Sequence, residues 1–198
     1  MEDKILIVEN KKEEKFLRTK IREFDFKKFT KREINDFVGR MKKAMKLANG
    51  IGLSANQIGL DMRVFVAQVP KTRINADETQ IGADGIRENP RKHQRESAFY
   101  AIFNPEIIKF SKEKTRLEEG CLSIPKVYGS VERPEKLTLA GFDKSGKKIK
   151  IKAWGLLAKV FQHEMDHLNG KLFIDRADKI YRVPSSERLK ERLKDLEN

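Results

Sequence analysis

A chain of 198 residues is long enough for one domain with a hydrophobic core and does not require two. Apolar residues make up 38% and charged residues 37%, a lean balance that suffices for a core because the apolar positions fall into periodic runs. The net charge of +13 favours anionic partners such as nucleic acid or anionic membrane, and equally suits a solvated lysine-rich surface. The one cysteine, Cys121, excludes an internal disulfide and points to a reducing compartment. The four apolar residues from Ile5 to Val8 are too few for a signal-peptide core, and no run approaches the roughly 18 residues of a membrane span. The expectation is a soluble cytoplasmic protein.

In chain order, residues 30–49 carry the clearest helical signal. Thr30 and Glu33 have capping-box spacing, and Ile34, Phe37, Val38, Met41, Ala44, Met45 and Ala48 recur on one face. Gly50 is well placed to end the helix. A glycine-rich turn follows, then a valine-rich strand over 62–69. Residues 70–98 are polar and aperiodic, with Gly82, Gly85 and Pro90, and read as an exposed insertion. Residues 100–110 read as a strand broken by a turn at Asn104-Pro105. Residues 136–142 and 147–152 alternate well and flank a hairpin turn, Asp143-Lys144-Ser145-Gly146. A second helix is expected over 155–169, stopped by Asn169-Gly170, and a last one from Ser186 to the end. Strands and helices do not alternate as βαβ units. The expected class is α+β, with antiparallel strands packed around a central helix and a C-terminal helix behind them, all in a single domain over residues 1–198.

Three segments carry chemistry. In His163-Glu164-Met165-Asp166-His167 the histidines stand at i and i+4, one helix face, with Cβ atoms about 5–6 Å apart. Two imidazoles so placed can grip one metal ion, and the glutamate between them can take a proton from a water held there. Leu156, Leu157, Val160, Phe161 and Leu168 surround the motif, and a carboxylate buried among them needs a partner. The same spacing also occurs on ordinary helices. Cys121, in Glu119-Gly120-Cys121-Leu122-Ser123, can supply a third ligand as a thiolate, although a lone cysteine is more often a small hydrophobe. Gly50-Ile51-Gly52-Leu53-Ser54-Ala55-Asn56-Gln57 permits close backbone approach to a ligand, with Gln57 able to donate to an oxyanion. Alone it also reads as a helix C-cap, a loop and a surface glutamine.

Taken together and in this order, Gly50 to Gln57, Glu119 to Ser123 and Gln162 to His167 resemble the peptide deformylase family, which carries GxGxAAxQ, EGCLS and QHExDH. The resemblance runs from about Ile5 to the end and weakens before residue 30 and within 70–98. It implies a hydrolase that removes the N-formyl group from formyl-methionyl nascent peptides and releases formate. Cys121, His163 and His167 would bind one divalent metal ion, ferrous iron in the cell, with zinc, nickel or cobalt able to take its place. Glu164 would act as general base and then general acid, while Gln57 and the main-chain N–H of Leu122 would stabilise the oxyanion. Ile51, Gly52 and Val160 would line a pocket for the methionine side chain. Glu119 is expected to pair with Arg133. The family further suggests ribosome association through the C-terminal helix or the basic surface, with no membrane and no specific nucleic acid as partners.

Three departures from the pattern stand out. Ser54 replaces the family's first alanine, and its hydroxyl needs a partner. Lys159, four residues before His163, takes a position that is usually apolar, so it either reaches solvent or alters substrate preference. The 70–98 insertion is longer than in compact bacterial members. A zinc peptidase sharing HExxH would normally place its third ligand downstream, where this chain has no histidine. A binding module without catalysis would need no intact ligand set.

Overall fold

The computed structural model describes residues 3–69 and 98–183. The expected insertion, apart from its last residue, and the expected helix from Ser186 onward lie outside them. The fold is α+β. Among the described residues, helices α1 (Lys11–Leu17), α2 (Lys31–Leu47) and α3 (Gly155–Leu168) combine with eight strands in two antiparallel sheets.

The larger sheet has the order β1-β2-β3-β6-β7 and is built from β1 (Gly52–Ser54), β2 (Val64–Val69), β3 (Ala98–Phe110), β6 (Lys136–Phe142) and β7 (Lys148–Trp154). Its two faces bury different cores, and β2 shows how alternate side chains divide between them. Val64 and Val66 join Ile34, Val38, Met41 and Met45 of α2, with Phe24 and Phe103. Phe65, Ala67 and Val69 join Leu157, Ala158, Phe161, Met165 and Leu168 of α3. A strand covered on both sides reads as a continuous apolar run, as this one does. The smaller sheet, β4-β5-β8, consists of β4 (Lys114–Cys121), β5 (Ile124–Pro134) and β8 (Lys179–Arg182). It packs through Ile124, Val127 and Val131 on Leu172 and Phe173. Helix α3 therefore lies between the two sheets, with Lys159, Gln162, Glu164, Asp166 and His167 all buried.

Local signals hold closely. Thr30 caps α2 with the expected reciprocal contacts to Glu33. The β6–β7 hairpin turns through Asp143, whose carboxylate accepts from the main-chain N–H groups of Ser145 and Lys147. Two expectations need correction. Helix α2 ends at Leu47, two residues short of the expected 49, and Asn49 rather than Gly50 takes the left-handed position at φ 55°, which asparagine tolerates better than most side chains. Asn104-Pro105 does not break the strand. Asn104 sits at φ 46° in a bulge of a continuous β3, and its side-chain amide pairs with the backbone of Phe24, accepting from N–H at 2.6 Å and donating to the carbonyl at 2.9 Å.

Candidate functional site

Three of the expected residues meet where the end of β4 comes against α3. The Cys121 sulfur and one ring nitrogen each from His163 and His167 lie within 4.8 Å of one another. Cys121 Sγ is 3.1 Å from His167 Nε2. Burial pushes the Cys121 thiol up, but the two imidazoles beside it, His167 foremost, outweigh burial and hold it at about 5. A thiolate and two imidazoles form a donor set suited to a divalent first-row cation, so these residues fit the group that the resemblance implies.

His163 is held from behind. Its Nδ1 stands 2.9 Å from Glu119 Oε2, which leaves Nε2 for the metal side when Nδ1 carries the proton. Glu119 takes two hydrogen bonds from Arg133, at 2.5 and 2.9 Å. Arg133 also donates to Asp166 Oδ2 at 2.8 Å, and Arg176 grips both oxygens of Asp166. Burial raises the Glu119 carboxyl, but Arg133 first and then His163 bring it down to about 2. The Glu119–Arg133 pair expected from sequence is thus the middle of a longer chain of alternating charges. Arg176 carried no signal of its own, and Ser123 and Asp166 stood in the motifs without any role marked for them. Asp166 lies inside the motif, but nothing in the sequence links it to residues 33 positions before it and 10 after it.

Gln57 is buried at the end of the short 3-10 helix Ala55–Ile58. Its Oε1 accepts from the Ser54 main-chain N–H at 2.9 Å, which turns Nε2 toward Ser123 Oγ at 3.1 Å and Cys121 Sγ at 3.6 Å. The donor end of the amide therefore faces the candidate metal site. Leu122 follows Cys121 in the turn between β4 and β5. Two main-chain bonds from the start of the chain hold this region: Leu6 N–H donates to Gln57 O at 2.8 Å, and Val8 N–H donates to Ser123 O at 3.0 Å.

Glu164 is buried. Burial raises its carboxyl above the ordinary value, against the lowering influence of His163, His167 and Ser54. One carboxylate oxygen lies over Gly52, where any Cβ would collide with it. A cavity of about 810 Å³ opens here, lined by Ile51, Gly52, Gln57, Cys121, Leu122, Val160, His163 and Glu164 among others. The structure thus brings every sequence-predicted site residue except His167 to one cavity wall, and His167 is buried with its Nε2 3.1 Å from Cys121 Sγ. Lys159 also lines the cavity, and it does not reach solvent. Its ammonium donates to the carbonyls of Thr115 and Arg133, each at 2.7 Å, and burial lowers its pKa. Those two residues face each other across the β4–β5 ladder, so Lys159 ties that hairpin to α3.

Known proteins resemble this chain over most of its length. The family described as Polypeptide deformylase matches residues 4–183. A peptide deformylase of Methylocella silvestris is 41% identical over 151 residues, covering 76% of this chain and 68% of its own. The crystal structure of a probable peptide deformylase from Synechococcus phage S-SSM7 is 34% identical, with a TM-score of 0.67, and covers 87% of this chain and 98% of its own. The class I type b peptide deformylase of Acinetobacter baumannii, in a structure with Met-Ala-Ser bound, is 26% identical with a TM-score of 0.70 and covers 89% of this chain and 98% of its own.

Proposed function

Because the chain belongs to the peptide deformylase family, metal-dependent hydrolases that remove the N-formyl group from nascent polypeptides, we propose that Cys121, His163 and His167 hold its metal, that Glu164 moves the proton, and that Gln57 and the Leu122 N–H stabilise the oxyanion. The observation that carries this reading is the meeting of a thiolate and two imidazoles, with the thiolate, His163 and the buried Glu164 carboxylate all lining one cavity. The bound cation would supply Lewis acidity to a water and to the formyl oxygen.

The protein's own groups account for the rest. Glu164 takes a proton as water adds to the formyl carbon. The Nε2 end of Gln57, fixed by the bond from Ser54 N–H to Oε1, donates to the oxygen on which charge develops. Glu164 then returns the proton to the amine nitrogen as the C–N bond breaks, leaving formate and a free N-terminus. A carboxyl raised by burial suits a group that must both accept and deliver a proton.

The methionine side chain would lie against Ile51, Gly52 and Val160, which line the same cavity as Cys121 and Glu164, and the Acinetobacter relative with Met-Ala-Ser bound supports a methionyl peptide as the ligand class. Iron(II) is the metal we assign in the cell, with zinc, nickel or cobalt as substitutes that the same donors accept. A cytoplasmic location suits a thiolate ligand, and among the described residues no helix is long and apolar enough to cross a membrane. The net charge of +13 favours association with the ribosome, where formylated chains emerge, through the basic surface or the expected C-terminal helix. The single-domain reading over 1–198 is consistent with a family match that runs from residue 4 to 183.

The test is formate release from formyl-Met-Ala-Ser by protein purified without oxygen and loaded with iron(II) or nickel. Metal-dependent release is expected, and its absence in protein holding one metal per chain would overturn the assignment. Lys159→Ile probes the pocket. Losing the ammonium removes two charge-assisted hydrogen bonds between α3 and the β4–β5 hairpin and is expected to cost about 1–3 kcal/mol of stability in thermal or denaturant unfolding. The same change is expected to shift severalfold the ratio of kcat/KM for formyl-Met over formyl-Leu peptides. An unchanged ratio would remove Lys159 from the pocket.

A further inference from the structure

Ser54 stands where the family's glycine-rich motif carries alanine, and it is fully buried. A serine opening a 3-10 helix would ordinarily cap it. Here the hydroxyl lies instead against Glu164, with Oγ 2.8 Å from Oε2 and 3.0 Å from the Glu164 carbonyl oxygen. Among the described residues, no other hydrogen bond reaches that carboxylate.

We propose that Ser54 is a positioning residue for the deformylase reaction: its hydroxyl pins one oxygen of Glu164 and so aims the other over Gly52 at the substrate. The inference rests on the reading of Glu164 given above. Gly52 and Ser54 are two residues apart on β1, so they share a face, and that face meets α3. The Glu164 carboxylate is thus confined between a hydroxyl at Oε2 and a bare backbone beneath Oε1. A glutamate has three rotatable side-chain bonds, and fixing them beforehand removes an entropic cost from the chemical step. A hydroxyl both donates and accepts, so the contact also survives when Glu164 carries the proton. Oε2–H then donates to Oγ, and the serine hydrogen turns to the Glu164 carbonyl. An alanine offers neither arrangement.

The same residue orients Gln57, but through its main-chain N–H, which substitution leaves in place. Ser54→Ala therefore isolates the hydroxyl. In metal-loaded enzyme acting on formyl-Met-Ala-Ser, Ser54→Ala is expected to lower kcat about tenfold, with KM and metal per chain unchanged. In a Glu164→Asp background the shortened carboxylate no longer reaches Oγ, and adding Ser54→Ala is expected to change kcat less than twofold. The proposal is overturned if Ser54→Ala keeps wild-type kcat, if its loss is equally large in the Asp background, or if the loss follows metal content. Should Ser54→Ala fold poorly, Ser54→Cys, similar in size with a weak donor, is expected to give a kcat between the two, and wild-type kcat there overturns the proposal. Wild-type protein is assayed alongside. If it releases no formate, the deformylase reading itself fails and takes the proposal with it.

Discussion

Glu164→Ala is expected to retain one metal per chain and to lose about three orders of magnitude in kcat. The two effects separate because Glu164 lies outside the ligand cluster of Cys121, His163 and His167. Its removal leaves the thiolate, both imidazoles and the Glu119–Arg133 support intact. What disappears is the group that takes a proton from water and hands it to the leaving amine, and among the described residues the other carboxylates lining the cavity are Glu118 and Glu119. Glu119 cannot substitute, because Arg133 and His163 hold its carboxyl down to about 2, with Arg133 on Oε1 and both Arg133 and His163 on Oε2. Glu118 takes a hydrogen bond from Tyr181 on the outer face of β4. Metal analysis and formate release on one preparation check the prediction. Wild-type turnover would remove Glu164 from the mechanism, and loss of metal would make it a structural support for the site.

Cys121→Ala is expected to reduce metal to well below one per chain and to abolish turnover with it. A thiolate is the one anionic ligand in the set, and two neutral imidazoles alone leave a dication short of both charge and coordination. Fold stability should change little. Cys121 is half-buried at the end of β4, and the hairpin keeps its ladder from Lys114 to Gly120 and the Lys159 clamp. Metal content, thermal unfolding and formate release measured together distinguish the outcomes. Full metal and activity in this variant would make Cys121 a packing residue. Loss of the fold along with the metal would mean that the cysteine holds β4 in place by itself.

The site was more legible in the sequence than the frame that supports it. Residues that contact one another along a single element show their relation as spacing, as do His163 and His167 on α3 and Thr30 and Glu33 at the start of α2. The β4–β5 hairpin left no comparable trace. In β5 the buried positions from Val127 onward are Val127, Gly129, Val131 and Arg133, so the alternation expected of a half-buried strand is interrupted by a glycine and a charge. In β4 Lys114 to Glu118 are all exposed, which removes the apolar signal altogether. Helix α1 is only seven residues long and buries Leu17 alone. The partners of Lys159 and Ser54 were equally hidden. A polar residue in an apolar context announces that it needs a partner, but the partner here lies 26 to 110 residues away.

The two bonds from Leu6 and Val8 give the beginning of the chain a place in the chemistry. One main-chain N–H holds the carbonyl of Gln57 and the other holds the carbonyl of Ser123, so a single extended segment bridges the loop that carries the amide donor and the turn that follows the cysteine. Glu13 of α1 anchors that segment in turn, accepting from the Ile7 N–H at 2.8 Å. Shortening the chain through residue 8 would remove no side chain from the cavity wall except Ile5, yet it would take away both main-chain tethers and leave the two segments joined through the Gln57 amide and its contacts with Ser123 and Cys121. An enzyme trimmed there would keep its ligands and lose its alignment, and its failure would be read in catalytic rate well before it was read in metal.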